Sequence, residues 1–325
     1  MKKNIAIIMG GYSSENQISE KSGEVAFKNL NNIFKCYKIY ITKKEWYYLN
    51  SENTKFKIDQ NNFTIQDHPK VKFDCIFNAI HGDPGENGKI QSYFENLNIP
   101  ITGSNSSQSE ITFDKIKCID FLKTMGVKVA KSFTLNKNDL LDIKQIIDKV
   151  GLPCFVKASN SGSSYGVYKA YKESDLIDSI EKAKEYDENI LVETHVEGRE
   201  FSVGVVMFNG RMVVLPITEI ITSNDFFDYQ AKYEGNSDEI TPALIENNLK
   251  IKLEKIARKI YKTLEIRGLS RSEFILKDDE FYFLEINTVP GLSKESILPQ
   301  QSIHAGIPID KLFTSTIYEA MAKVN

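Results

Sequence analysis

The stretch from residue 271 to 299, RSEFILKDDEFYFLEINTVPGLSKESILP, constrains this chain more than any other. It reads as two strands, 270–277 and 281–288, joined by a tight acidic turn at Asp278-Asp279-Glu280. Strand side chains alternate between faces. Phe281, Phe283, Glu285 and Asn287 are therefore expected on one face, and Arg271, Glu273 and Ile275 on one face of the first strand. A three-residue turn pairs Lys277 with Phe281, which sets Glu273 opposite Glu285 and Arg271 opposite Asn287. Facing carboxylates repel unless a cation sits between them. Two carboxylates and an amide oxygen are hard ligands of the kind Mg²⁺ takes, with waters and nucleotide phosphates completing its octahedron. The alternative is a solvated hairpin face with incidental charges, and Phe283, expected on the same face, argues against it.

A chain of 325 residues is long enough for two or three domains with separate cores. A net charge of −3 gives no basic excess that would call for nucleic acid. Cys36, Cys75, Cys118 and Cys154 are far apart with no CxxC, which points to reduced, buried small hydrophobes in a cytoplasmic chain. The opening MKKNIAIIMGG is too short for a signal h-region, and no segment approaches transmembrane length, so no membrane role is expected.

Residues 4–9 form a buried-strand pattern ending in Gly10-Gly11, after which Ser13 or Ser14 can cap a helix carrying Ile18, Val25, Ala26 and Leu30. Glu15, in the first turn, also suits the helix dipole with no further role. Strand-like segments recur at 35–42, 75–79 and 99–102, giving an α/β unit over the first hundred residues. The run HGDPGENG, His81 to Gly88, specifies a tightly folded loop at a strand end, either a structured turn or a ligand contact through His81 and Glu86. Helices are expected over 111–125 and 140–150, then a buried strand, 152–157, ending in Lys157. The small-residue loop 158–166 follows, and such loops present N–H groups to phosphates. Lys157 and Lys115 would supply positive charge there, and a lysine closing an apolar strand needs a counter-charge. Glu193 and Glu200 end two strand-like runs about a turn at Gly198, and a strand over 201–208 leads to a hairpin at Asn209-Gly210. The polar, aromatic-rich stretch 222–241 reads as a lid, and 242–265 as a helix with Leu249, Leu253, Ile256 and Ile260 on one face.

Taken in order, these segments resemble the D-alanine–D-alanine ligase family within the ATP-grasp superfamily. The ordered set is GG-x-S-x-E, HGxxGExGxxQ, Asp114-Lys115, VK followed by GSSxGV, E-x(6)-EF, Lys232-Tyr233, then R-S-E, EIN and PG-x(4)-S. It runs from Gly10 to Pro299. The resemblance implies an α/β (α+β) chain, with a Rossmann-like open-sheet domain (1–103) ahead of a two-part ATP-grasp domain (104–188, and 189–325 with the lid). It implies ATP-dependent joining of two D-alanines through an acyl phosphate, in a cytoplasmic homodimer. Lys115, Lys157, Ser164, Glu193, Val196 and Glu200 would hold ATP, with Ser163 and Ser164 closing over its phosphates. Glu273, Glu285 and Asn287 would bind two Mg²⁺ ions, for which Mn²⁺ can substitute. Glu15, Ser163 and Tyr233 would orient the first D-alanine, Arg271 and the Gly291 N–H would stabilise an oxyanion, and Ser296 and Lys232 would take the second carboxylate.

The chain departs from the family pattern at Glu273 (often aspartate), Ala158 (often proline), Asn87, Gln17 and Ile297. None of these removes a group with a chemical role. Two other readings are a related ligase using D-lactate, D-serine or another amino acid as second substrate, and a nucleotide-binding regulator without chemistry. Intact Arg271, Glu285 and Asn287 count against the regulator.

Overall fold

The computed structural model describes residues 2–68, 71–162, 164–222 and 237–322. Ser163, Lys232 and Tyr233, and most of the stretch expected as a lid, lie outside the described residues. The chain is mixed α/β, built on three sheets, as expected from the alternating strand and helix patterns.

The first sheet holds β1 (Asn4–Gly10), β2 (Lys35–Ile41), β3 (Trp46–Leu49), β4 (Lys55–Asp59), β5 (Thr64–Ile65) and β6 (Cys75–Asn78), in the order β5-β4-β3-β2-β1-β6. Strand β1 lies between β2 and β6 and parallel to both, with Ile5 to Met9 fully buried. Helix α1 (Asn16–Leu30) packs on it through small residues: a Cβ on Gly23 would lie 2.6 Å from Met9 Cε. The expected cap is corrected. Glu15 is the N-cap of α1, and Ser13 Oγ instead accepts the Glu15 N–H. The expected strand at 99–102 is a single bridge, Ile76 to Ile101, ahead of which runs α2 (Lys89–Asn96).

The expected helix over 111–125 is two helices, α3 (Ser106–Phe113) and α4 (Lys115–Thr124), broken at Asp114. Asp114 has extended backbone, and its carboxylate accepts Lys117 N–H at 3.1 Å and Ser159 Oγ at 2.7 Å. Capping competes with helix continuation at such a residue. The second sheet, order β7-β10-β8-β9, is antiparallel: β7 (Ser132–Asn136), β8 (Cys154–Ala158), β9 (Val167–Ala170) and β10 (Asn189–Thr194). Helices α5 (Ile143–Val150) and α6 (Glu173–Ala183) cover one face, where Cys154, Val156 and Ala170 are buried. Strand β10, which begins at the expected 188/189 division, has β7 and β8 as its neighbours.

The third sheet runs β14-β13-β11-β15-β16, with β12 (Arg211–Val214) paired to β11 (Arg199–Phe208). The others are β13 (Thr218–Thr222), β14 (Ser237–Ile240), β15 (Leu269–Lys277) and β16 (Glu280–Asn287). Helix α7 (Asn247–Thr263) buries Leu249, Leu253, Ala257 and Ile260 against it. Helices α8 (Ile297–His304) and α9 (Ile309–Met321) follow, and Phe313 and Ile317 of α9 pack with Ile5, Ile7 and Phe77 of the first sheet. Burial pushes the Cys75 and Cys118 thiols up to about 12, so these residues act as small hydrophobes.

The β15–β16 hairpin confirms the expected pairs, Glu273 with Glu285 and Arg271 with Asn287, by a different route. Its turn has two residues, Asp278 and Asp279, both at positive φ, and Lys277 pairs with Glu280. A bulge then leaves Leu284 without a partner and restores the register at Glu285. One consequence corrects the sequence reading: Phe281 and Phe283 do not share a face with Glu285 and Asn287. They face α7 with Phe274, as the bulge reverses the alternation.

Candidate active site

Two cavities meet at the end of this hairpin. The larger, about 690 Å³, lies between the second and third sheets. Alternation on β8 explains two of its wall residues: Cys154, Val156 and Ala158 face the helices, leaving Phe155 and Lys157 toward the cavity. Ser164, Glu193, Val196, Glu200, Glu273 and Leu284 line it as well. The smaller, about 400 Å³, lies against α1 and holds Glu15, His81, Glu86, Arg271, Asn287, Gly291 and Ser296. Among the described residues only Lys115 and Glu285 line both.

Lys115 is the first residue of α4, held there because Asp114 starts the helix. Its ammonium donates to Ser161 O at 2.5 Å and lies 4.0 Å from Glu285 Oε2. A lysine at a helix N-terminus favours a bound anion. Lys157 finds the counter-charge its sequence position requires: Nζ sits 2.7 Å from Glu193 Oε2. Burial pushes the Lys157 ammonium down, but Glu193, Glu285 and Glu200 outweigh it and hold the group above its usual range. It therefore stays cationic in a cavity edged by acids. Ser164 adopts φ +60° at the head of β9, in the small-residue loop.

Glu273 and Glu285 are directly opposed on β15 and β16, with Asn287 next along and Arg271 paired to Glu273. Asn287 Oδ1 accepts the Val289 N–H at 2.9 Å, which fixes its amide beside the carboxylates. Arg271 also reaches Ser202 Oγ at 3.3 Å. Gly291 is a close approach, since a Cβ there would lie 2.7 Å from Ser296 Oγ. Ser296 is the N-cap of α8, and its hydroxyl bonds Ser293 Oγ at 3.0 Å. Glu15 lies across the cavity, where side chains on Gly82 or Gly162 would strike its carboxylate.

Arg199, Glu219, Ser22 and Glu239 had no place in the sequence-based site, whereas His81 and Glu86 were possible contacts there. Arg199 grips Glu219 with two hydrogen bonds of 2.7 and 2.8 Å, a pair between strands that no local motif announces. Ser22 and His81 bond at 2.8 Å, and Leu292 N–H donates to Ser22 at 3.3 Å, tying the Gly291 loop to α1. Burial pushes the Glu86 carboxyl up to about 8, reinforced by the Glu15 charge and opposed by the Gly82 and Val289 N–H groups. Glu239 of β14 also faces the smaller cavity, within the stretch read from sequence as a loop.

Known proteins match this chain along almost its whole length. The family described as D-ala D-ala ligase N-terminus matches residues 4–104, and the one described as D-ala D-ala ligase C-terminus matches 121–318. A D-alanine–D-alanine ligase of Flavobacterium johnsoniae is 48% identical, covering 98% of this chain and 100% of its own. The structure of VanG D-Ala:D-Ser ligase from Enterococcus faecalis is similar with TM-score 0.86 and 30% identity, covering 98% of this chain and 99% of that one. The ATP complex of D-alanine–D-alanine ligase from Bacillus anthracis is similar with TM-score 0.79 and 29% identity, covering 99% of this chain and 98% of that one. By its matched family segments, its relatives and its three-sheet architecture, this chain belongs to the D-alanine–D-alanine ligase family, with an ATP-grasp fold.

Proposed function

We propose that the chain uses ATP to join two D-alanines into D-alanyl-D-alanine, a precursor for peptidoglycan, in the cytoplasm. One observation carries this reading: among the described residues a nucleotide-sized cavity and a smaller polar one meet only at Lys115 and Glu285, so a phosphoryl group passes at that junction. ATP lies in the larger cavity, with Lys115, Lys157 and the Ser164 loop at its phosphates, Glu193 and Val196 toward adenine and Glu200 toward ribose. We take the working units to be the three sheets, which extends the middle one from 104–188 through β10 to Thr194. The homodimer stays part of the proposal.

The donor set fits divalent metal. Glu273, Glu285 and Asn287 give oxygen ligands at adjacent paired positions, and no cluster of three His, Cys, Asp or Glu among the described residues competes as a metal site. A set this small needs ligands from phosphate, which is how Mg²⁺ sits on nucleotides. When bound, two Mg²⁺ ions neutralise the charge of the transferring phosphate.

Glu15, with Ser163 and Tyr233, holds the first D-alanine so that its carboxylate faces the γ-phosphate. Transfer of that group leaves ADP and D-alanyl phosphate. The amine of the second D-alanine, its carboxylate on Ser296 and Lys232, attacks the acyl carbon. Arg271 and the Gly291 N–H hold the oxyanion of the tetrahedral intermediate, which expels phosphate while the attacking nitrogen loses its proton. The test is incubation of the full chain with ATP, Mg²⁺ and D-alanine, alone and with D-lactate or D-serine. D-alanyl-D-alanine, ADP and phosphate should form in equal amounts, and Glu285→Gln should abolish all three with unchanged circular dichroism. A dominant mixed product, or ATP turnover independent of D-alanine, would overturn the reading.

A further inference from the structure

Glu239 is a carboxylate for which the reaction above has no use. It is half-buried on β14, opposite Ile220 of β13, and it faces the smaller cavity. Its hydrogen bond is from Gln300 Nε2 at 3.3 Å. The same amide donates to Glu295 O at 2.8 Å, so Gln300 is anchored at the start of α8. Gln300 lies four residues after Ser296, one turn along the same helix face. The Glu239 carboxylate is thereby tied to the helix that Ser296 caps, and it lines the same cavity as the hydroxyl assigned to the second carboxylate.

The other acids of this cavity have different neighbours. Glu15 lies against Gly82 and Gly162 on the far side, and Glu86 accepts the Gly82 N–H at 2.6 Å. Glu285 faces Lys115, and Glu295 is exposed at the rim. Arg271, the cation near Glu239, is already paired with Glu273. An α-amino acid carries its ammonium one carbon from its carboxylate, so a site that grips the carboxylate at Ser296 needs an acceptor for the ammonium close by. A partly desolvated carboxylate gains most from a cation that hydrogen-bonds to it.

We infer that Glu239 receives the ammonium of the second amino acid and so selects an amine over a hydroxyl acceptor. A hydroxy acid brings no cation and leaves the carboxylate desolvated without compensation, which turns a binding contact into discrimination. The inference rests on the ligase reading, and wild-type product formation checks that reading separately.

The experiment compares wild type, Glu239→Gln and Glu239→Asp as full chains. D-alanine is varied at saturating ATP to resolve its two KM values, and D-lactate competes as acceptor. Glu239→Gln should raise the second KM about tenfold or more, the loss of one charge-assisted hydrogen bond. The KM for ATP and the first KM should stay unchanged, and the share of D-alanyl-D-lactate should rise. Glu239→Asp, which keeps the charge, should restore most of the preference for D-alanine. An unchanged second KM, or an equal fall in kcat for both acceptors as expected from a displaced Arg271, overturns the inference. Wild type that forms no dipeptide overturns the ligase reading and the inference with it.

Discussion

Glu86 shows how much a single buried group can store. Burial, then the charge of Glu15, raises its carboxyl from 4.5 to about 8, although Gly82 and Val289 donate to it. The native carboxyl thus keeps its proton over a range where the unfolded chain has released it. Where the native state binds more protons, stability falls as pH rises. Wild type should therefore lose melting temperature between about pH 5 and pH 8 more steeply than Glu86→Gln, whose amide carries no titrating proton. Parallel curves from differential scanning fluorimetry across this range would refute the assignment. The sequence pointed to His81 and Glu86 as possible contacts through the glycine and proline spacing of their loop. It did not register Ser22, since a serine in the buried stripe of α1 carries no signal until His81 folds onto it.

At the scale of elements, local patterns mark where strands and helices lie better than where they break. Apolar spacing from Ile111 to Leu122 runs on as though one helix continued, yet Asp114 divides it and sets Lys115 at a helix start. Replacing Asp114 by alanine should cost about 1–2 kcal/mol from the lost cap, more with the Ser159 hydroxyl left without its acceptor. The same change should raise the KM for ATP by moving Lys115. Urea unfolding and steady-state kinetics check both, and a variant stable but unaltered in KM would detach Lys115 from this cap. In the hairpin, strand alternation predicts the pairing of Glu273 with Glu285, but the structure reaches it by another route. A turn one residue short and a bulge one residue long cancel, and strand alternation sees neither. Lys115, Lys157, Glu193, Glu200, Arg271, Glu273 and Glu285, which line the two cavities, were legible because their motifs keep a strict order. Strand β3, a run of Trp46, Tyr47, Tyr48 and Leu49 without polar alternation, offered no such pattern.

At the scale of the whole molecule, the last described helix returns to the first sheet. Helix α9 closes the core of the first sheet, with Phe313 fully buried and its ring 5.2 Å from that of Phe77. Phe313→Ala should cost about 3–5 kcal/mol. The loss should appear as a lower midpoint of denaturant unfolding, and a change under about 1 kcal/mol would mean the site collapses around the gap. The two cavities, meanwhile, share only Lys115 and Glu285 among the described residues. Strands β15 and β16 and the 158–166 loop serve both, but the Ser296 and Glu239 wall belongs to the smaller cavity and the Glu193 to Glu200 wall to the larger, so descent can revise one without disturbing the other. Substitutions around Ser296 and Glu239 can try out new acceptors over generations while the grip on nucleotide is inherited intact, and the junction pair is what both histories must keep.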